Sequence, residues 1–237
     1  MNAPVLPASL RDNPHAGQWI GFEPDRMVRL CTGKVELGQG ILTALAQIAA
    51  EELDVPPARF RIVSGDTEAA PEEGFTAGSQ SIEASGGAIR LVAAEIRLWF
   101  LEAAALRLNC APEALSVADG RILQDGAATA LDYWSLAPQV GLARPVTGTA
   151  TPRPPETFRY IGQPMRRRDL PGKLFGGGFI HDIAPADVLH ARSLHRPWPG
   201  AALGPLDAAG IARAAGGAVE MLRIGDFAAI LAPTEAL

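Results

Sequence analysis

The chain has 237 residues, of which 48% are apolar and 20% are charged, and its formal net charge at pH 7 is −5. These values are typical of a soluble globular protein with one large or two modest domains, and the acidic balance argues against a nucleic-acid-binding protein. Neither a membrane-spanning apolar run nor a secretory signal pattern is visible, so we expect a cytoplasmic protein. Cys31 and Cys110 are isolated between apolar residues, which predicts reduced, buried thiols.

The first predicted elements follow one another as strand, helix and strand. Residues 27–32 alternate like a strand with one buried face and lead into a turn at Gly33. Apolar residues recur at helical spacing over residues 41–53, and Pro56 and Pro57 end that helix. Residues 60–64 have the composition of a second strand. The segment therefore predicts a β-α-β unit.

A loop, a longer helix and a hairpin are predicted next. Acidic residues and glycines over residues 65–74 indicate a loop, and the apolar stripe over residues 81–109 predicts a helix. Gly86 and Gly87 disfavour a helix by about 1 kcal/mol each, so either the helix begins after them or a neighbour packs very close there. Residues 115–123 form a hairpin pattern that turns at an Asp-Gly pair.

A proline-rich run over residues 151–157 predicts a linker between two domains, residues 1–150 and residues 158–237. The second part has strand-like pieces and one short helix, and its last strand pattern predicts further structure beyond the end of the sequence. The predicted strands are residues 179–181, 188–192, 219–224 and 227–231, and the predicted helix is residues 208–214. The fold class that this pattern indicates is α+β.

Two short stretches, residues 33–40 and residues 75–81, each end where a predicted helix begins. A helix N-terminus has unpaired N–H groups and a partial positive charge, so it favours an anion when glycine allows close approach. The first stretch offers Gly38, Gln39 and Gly40, and the second offers serine hydroxyls. The sequence therefore predicts a phosphate site where two helix starts converge. From this feature alone, the chain could be a phosphate-binding α/β module of an unrelated kind.

The remaining polar residues favour structural interpretations. Glu36 stands one turn before a helix, where a carboxylate complements the helix dipole, and its neighbour Lys34 is a possible ion-pair partner. The pairs at residues 51–52 and 72–73 are interpreted as solvated faces, since nothing in the sequence sets their separation. The four histidines are scattered, so we expect no metal site.

Residues 33–47 and 73–81 resemble the molybdenum-cofactor domain of the xanthine dehydrogenase and aldehyde oxidase family. The resemblance is strongest to the molybdopterin-binding subunits of nicotinate dehydrogenases and isoquinoline oxidoreductases, in which this piece is N-terminal. Residues 160–173, 179–182 and 189–192 are similar to the opening of the α/β-hammerhead domain that follows in the family. The implied architecture is a partial molybdenum-cofactor-binding domain before the linker and a C-terminally incomplete hammerhead domain after it.

The resemblance also implies a cofactor-binding set, which consists of Gly38, Gln39, Gly40, Thr76, Ala77, Gly78, Ser79, Gln80 and Ser81. Gln39 matches the family's glutamine beside the molybdenum and the pterin. Ser79 and Ser81 match hydroxyls that hold the cofactor's phosphates, and their neighbours offer backbone amides. Thr76 and Ala77 match the positions at which, in the family, the wall of the cofactor site approaches the active-site pocket.

The implied chemistry is hydroxylation of an N-heteroaromatic or aldehyde substrate with oxygen from water. The implied cofactor is molybdopterin with molybdenum, in its cytosine dinucleotide form, and iron–sulfur clusters on a partner subunit take the electrons. The sequence has neither the family's second glycine motif nor its glycine-flanked glutamate general base in the expected context. Residues 176–179 look like the glycine motif but are interpreted as a turn. We therefore expect no catalytic residue in this chain and a larger molybdenum subunit that completes the site. A truncated or degenerate relative that binds no cofactor, or serves only in assembly, is the alternative.

Overall fold

The structure is a computed structural model that describes residues 5–177, 179–180, 183, 185–217 and 219–236. The chain divides into two units, Met1–Pro171 and Gly172–Leu237. The predicted linker, residues 151–157, thus lies inside the first unit and is followed there by residues 158–171.

A three-stranded sheet and one helix form the start of the first unit. Strand β1 (Ile20–Phe22) pairs antiparallel with β2 (Val28–Thr32), and β2 pairs parallel with β3 (Phe60–Ser64). Helix α2 (Ile41–Leu53) connects β2 to β3. The predicted β-α-β unit is confirmed, and a short helix α1 (Ala8–Asp12), which was not predicted, precedes it.

The long predicted helix begins as a π-helical turn and continues as an α-helix. The π-helical turn covers Ile82–Gly86, and α3 covers Gly87–Leu108. A Cβ atom built on Gly86 would lie 3.0 Å from the Cδ1 atom of Ile48 in α2. The helix therefore runs through the glycine pair, and Gly86 allows α2 to pack against it closely.

A three-stranded antiparallel sheet follows α3. The predicted hairpin is confirmed as β4 (Leu115–Ala118) and β5 (Arg121–Gln124), and β6 (Ala127–Asp132) adds a third strand that was not predicted. A single helical turn, α4 (Tyr133–Leu136), comes directly after β6. The largest fully buried side chains of the shared core include Trp19, Phe60, Phe100 and Tyr133.

Buried carboxylates on α2 hold the proline-rich run and the residues after it. Glu51 and Glu52 are 1% and 0% exposed, so the prediction of a solvated face was wrong for this pair. The Glu51 carboxylate accepts hydrogen bonds from the backbone N–H groups of residues 159–161. Glu52 accepts from the backbone N–H of Arg153 and forms ion pairs with Arg90 and Arg97. These bonds offset the cost of burying two charges.

The second unit contains a three-stranded antiparallel sheet in the order β7, β9, β8. The strands are β7 (His190–Ser193), β8 (Glu220–Ile224) and β9 (Phe227–Ala232). Helix α5 (Leu170–Phe175) begins in the first unit, and α6 (Ala208–Ala214) lies in the second. Three of the four predicted strands are present. Of the predicted strand over residues 179–181, the first two residues are not in a strand, and His181 lies outside the described residues. Among the described helices, none is long and apolar enough to cross a membrane.

Candidate functional site

The two predicted stretches form opposite walls of one cavity of about 360 Å³. We name residues 36–40, which lead into α2, the glycine turn, and residues 76–81, which lead into the π-helical turn, the serine turn. The cavity is lined by Leu37, Gln39, Gly40, Ile41, Ala44, Thr76, Ala77, Gly78, Ser79, Ser81 and Ile82. The structure therefore brings together every predicted site residue except Gly38 and Gln80, which belong to the turns but do not line the cavity.

The serine turn presents hydrogen-bond donors that have no partner among the residues that the structure describes. Gly78 and Ser79 have φ angles of 65° and 58°, and such a left-handed backbone is unfavourable for a serine. Within the part of the chain that the structure describes, the hydroxyls of Ser79 and Ser81 and the N–H groups of residues 78, 79 and 81 donate to no acceptor. This wall can therefore bind an anion without losing an internal hydrogen bond.

The glycine turn, in contrast, uses its polar groups internally. The Glu36 Oε1 atom accepts from the N–H groups of Gly38 at 2.9 Å and Gly40 at 2.8 Å. The Gln39 side chain accepts from the Leu37 N–H at 2.6 Å and donates to the Val35 carbonyl at 3.1 Å. The turn therefore forms part of the cavity wall, but its glycine N–H groups already donate to the chain's own carboxylate.

The structural role predicted for Glu36 is confirmed, but the suggested partner was wrong. Gly40 is the N-cap residue of α2, so the carboxylate of Glu36 lies at the start of that helix. Lys34 is buried, and its Nζ atom donates to the backbone carbonyls of Glu73 at 2.6 Å and Phe75 at 3.2 Å. The cation that reaches Glu36 is Arg167, at 3.4 Å from Oε1.

Glu73 connects the segment before the serine turn to the end of β2. Its Oε2 atom accepts from the Thr32 hydroxyl at 2.8 Å, the Gly33 N–H at 2.8 Å and the Ser85 hydroxyl at 3.0 Å. The prediction of a solvated face was therefore wrong for Glu73, whereas Glu72 is exposed as predicted. Because Thr32 precedes the glycine turn and Ser85 follows the serine turn, this carboxylate fixes the two walls relative to each other.

Arg167 does not line the cavity but contacts the glycine turn, and this contact was not predicted from the sequence. Its Nη1 atom donates to the Gly38 carbonyl at 2.5 Å, and Asp169 accepts from its Nε atom at 3.0 Å and from its Nη2 atom at 2.6 Å. The hydrogen bond with Asp169 raises the pKa of Arg167, and Glu36 adds to the shift. The only signal in the sequence was the run of three arginines at residues 166–168. By charge alone this run is a short basic cluster, and nothing in it distinguishes Arg167.

Among the described residues, no group of three or more histidine, cysteine, aspartate and glutamate side chains is placed to hold a metal ion. The donors that remain are hydroxyl and amide groups, which suit an anionic ligand.

Comparison with known proteins identifies the family. Residues 2–159 match the molybdopterin cofactor-binding domain family. The chain belongs to this family. The molybdopterin cofactor-binding domain therefore includes both turns of the cavity and the core around them, and the recognition of the molybdenum-hydroxylase family from sequence is confirmed.

The relatives of this chain are much longer than the chain itself. A nicotinate dehydrogenase subunit of Pseudomonas putida is 34% identical over 92% of this chain and 19% of its own length. The beta subunit of isoquinoline 1-oxidoreductase of Brevundimonas diminuta is 26% identical over 73% of this chain and 27% of its own length. The crystal structure of quinoline 2-oxidoreductase from Pseudomonas putida 86 aligns with a TM-score of 0.44 and 26% identity, over 50% of this chain and 15% of that chain. The chain thus spans about a fifth to a quarter of these curated relatives.

Proposed function

We propose that this chain contributes one part of a molybdopterin site in a molybdenum hydroxylase. The observation that supports the proposal is the cavity whose serine turn has hydroxyl and amide donors without a partner among the described residues, in a chain that belongs to the molybdopterin cofactor-binding domain family. A phosphate-bearing cofactor fits such donors, because bonds from neutral donors to a charged acceptor are about twice as strong as those to a neutral one.

Individual residues have distinct roles in this proposal. Ser79 and Ser81 donate their hydroxyls to the cofactor's phosphates, and Gly78 and Gln80 contribute backbone N–H groups. Gln39 and Gly40 form the opposite wall, where Gln39 approaches the pterin, and Thr76 and Ala77 face the side of the pocket that a substrate would enter. When bound, the cofactor supplies the transfer of oxygen from water and accepts the substrate's electrons.

The complete enzyme requires more than this chain. A larger molybdenum subunit supplies the remaining cofactor contacts and a glutamate general base, and an iron–sulfur subunit carries the electrons away. The substrate class is an N-heteroaromatic ring or an aldehyde, and the cofactor is the cytosine dinucleotide form. In this proposal residues 1–150 are the cofactor-binding domain, residues 151–157 are the linker, residues 158–237 are the start of an α/β-hammerhead domain, and the complex is cytoplasmic.

The molybdenum content of the assembled protein tests the proposal. The full chain is co-expressed with its partner subunits in a host that makes the cofactor, and molybdenum per chain is measured by mass spectrometry. The double variant Ser79→Ala and Ser81→Ala loses two hydrogen bonds to phosphate, each of about 1.5 to 3 kcal/mol. We expect cofactor affinity to fall at least about a hundredfold, with molybdenum lost during dilution and gel filtration.

Ser116→Ala is the matched control, because Ser116 is exposed on β4 and does not line the cavity. Its molybdenum content should equal that of the unchanged protein, and circular dichroism should show the same fold for all variants. Full molybdenum retention in the double variant would remove both serines from the site. An unchanged protein without any molybdenum would instead favour the alternative, a non-catalytic relative that serves in assembly.

A further inference from the structure

The Arg167 side chain joins the segment after the proline-rich run to the glycine turn. Its Nη1 atom contacts the Gly38 carbonyl at 2.5 Å, and its Nη2 atom lies 3.4 Å from the Glu36 carboxylate. A Cβ atom built on Gly40 would lie 3.6 Å from the Cδ atom of Arg167, so the arginine stem covers the backbone at that residue. One side chain thus contacts the glycine turn at Glu36 and Gly38 and lies beside it at Gly40.

The orientation of the Arg167 guanidinium is itself fixed. Asp169 accepts from two of its nitrogen atoms, Nε at 3.0 Å and Nη2 at 2.6 Å, which is the bidentate geometry of an arginine–carboxylate pair. The backbone is fixed beside it, because the Arg168 N–H donates to the Thr43 hydroxyl of α2 at 3.0 Å. These bonds hold the Arg167 guanidinium and the adjacent backbone in place beside the glycine turn.

Glu36 carries the contact from Arg167 to the interior of the turn. Its side chain is 8% exposed, and Oε1 accepts from Gly38, Gly40 and Arg167. The second oxygen, Oε2, is buried and has no hydrogen-bond partner among the described residues. A buried carboxylate oxygen without a partner is costly, so this orientation persists only because the three donors to Oε1 hold it.

We propose that Arg167, acting through Glu36, is a positioning residue for the glycine turn and so for the cofactor-facing wall that carries Gln39. This inference rests on the proposed function only for the identity of the ligand. The conformation of the turn is a property of the chain alone. Arg167 keeps the turn in its internally bonded form, with Gln39 at the cavity and the two glycine N–H groups on the Glu36 carboxylate.

Hydrogen exchange of the full chain tests the positioning role directly. The amides of Gly38 and Gly40 are protected only while they donate to Glu36, so their exchange reports on the turn. In Arg167→Ala we expect exchange over residues 36–41 to accelerate about tenfold to a hundredfold, the factor for losing one charge-assisted hydrogen bond. Arg167→Lys keeps the charge but not the fork that spans Gly38 and Asp169, so its exchange should remain clearly faster than in the unchanged chain.

Arg168→Ala is the matched control, because the neighbouring guanidinium donates to the carbonyls of Pro57 and Phe60 and not to the glycine turn. We expect Arg168→Ala to leave exchange over residues 36–41 unchanged. Equal acceleration in both alanine variants would show a general loss of stability and would overturn the proposal. Unchanged exchange in Arg167→Ala would overturn it as well.

A second measurement separates this inference from the proposed function. In the complex with partner subunits, the rate of molybdenum loss should rise in Arg167→Ala and stay unchanged in Arg168→Ala. Accelerated exchange with an unchanged rate of molybdenum loss would overturn the role of Arg167 toward the cofactor. If the unchanged complex contains no molybdenum, the proposed function fails, and the exchange experiment alone decides whether Arg167 positions the turn.

Discussion

Replacement of Glu51 by alanine tests how residues 159–161 are held against α2 within the first unit. The Glu51 side chain lies near the end of α2 and is almost completely buried. Its Oε2 atom accepts from the N–H groups of Arg159 at 2.9 Å, Tyr160 at 2.7 Å and Ile161 at 3.0 Å. Glu51→Ala removes all three bonds at once and leaves three backbone donors without an acceptor.

The structure sets bounds on the expected loss of stability. Hydrogen bonds to a charged acceptor contribute about 1.5 to 3 kcal/mol each, so three of them give an upper bound of about 5 to 9 kcal/mol. Residues 159–161 can detach and regain water, so the loss falls below this bound, and we expect about 3 to 5 kcal/mol, the upper end of the range for single substitutions. Such a loss is a large part of the total stability of a domain, about 5 to 15 kcal/mol.

Urea unfolding of the full chain, followed by tryptophan fluorescence, measures the difference. We expect Glu51→Ala to unfold at much lower urea and trypsin to cut it first near Arg159. Glu51→Gln should lie between, because one oxygen remains but the amide N–H₂ cannot accept from the backbone donors. Glu102→Ala is the control, since Glu102 is exposed on α3. A stability of Glu51→Ala within about 0.5 kcal/mol of the unchanged chain would refute the reasoning, because that is the range of surface substitutions.

Two further changes test the packing of the first unit. A Cβ atom at Gly33 would lie 2.5 Å from the Pro71 carbonyl oxygen, so Gly33→Ala should reduce the free energy of unfolding by about 1 to 3 kcal/mol. Gly141→Ala is the control in the same urea assay and should be neutral, because a Cβ atom at Gly141 would meet nothing within 4 Å. Burial raises the pKa of Tyr133 above its ordinary value of 10.0, so the unfolded chain releases this proton at lower pH than the folded chain. Stability should therefore decline as pH rises through about 10, and Tyr133→Phe should make the decline shallower in unfolding curves measured between about pH 9 and 11.

Local patterns in the sequence were sufficient to predict the elements that surround the cavity. The strand before Gly33, the helix α2 and the parallel strand β3 follow from apolar periodicity and from prolines that stop the helix. Residues 81–109 were predicted as a helix that either begins after the glycine pair or has a close neighbour there, and the structure shows the close neighbour, Ile48 at Gly86. The convergence of the two turns could be predicted because both end at helix starts of one β-α-β-α arrangement.

Contacts between residues far apart in the chain could not be predicted in this way. Glu51 and Glu52 look like a solvated charged pair in the sequence, because their partners lie about a hundred residues away in a segment with a linker-like composition. The contacts of Glu73, whose partners Thr32 and Gly33 lie about 40 residues earlier, and of Arg167, whose partner Gly38 lies 129 residues earlier, were missed because they are also not local. A carboxylate that accepts backbone N–H groups leaves no local pattern, since any residue except proline can supply the donor.

The two walls of the cavity have different physical roles. The glycine turn satisfies its own donors through Glu36 and Gln39, so it offers shape and one side chain rather than free N–H groups. The serine turn has a left-handed residue at Ser79 and, among the described residues, its exposed donors have no protein partner, so a charged ligand can bind there without displacing an internal hydrogen bond. An anion placed between two equal helix starts would compete with Glu36 for the same amides, and like charges would repel each other there. In the proposed function, the phosphates of the cofactor therefore lie on the serine side, and a glycine turn that Arg167 orders as proposed would add little entropy cost to binding.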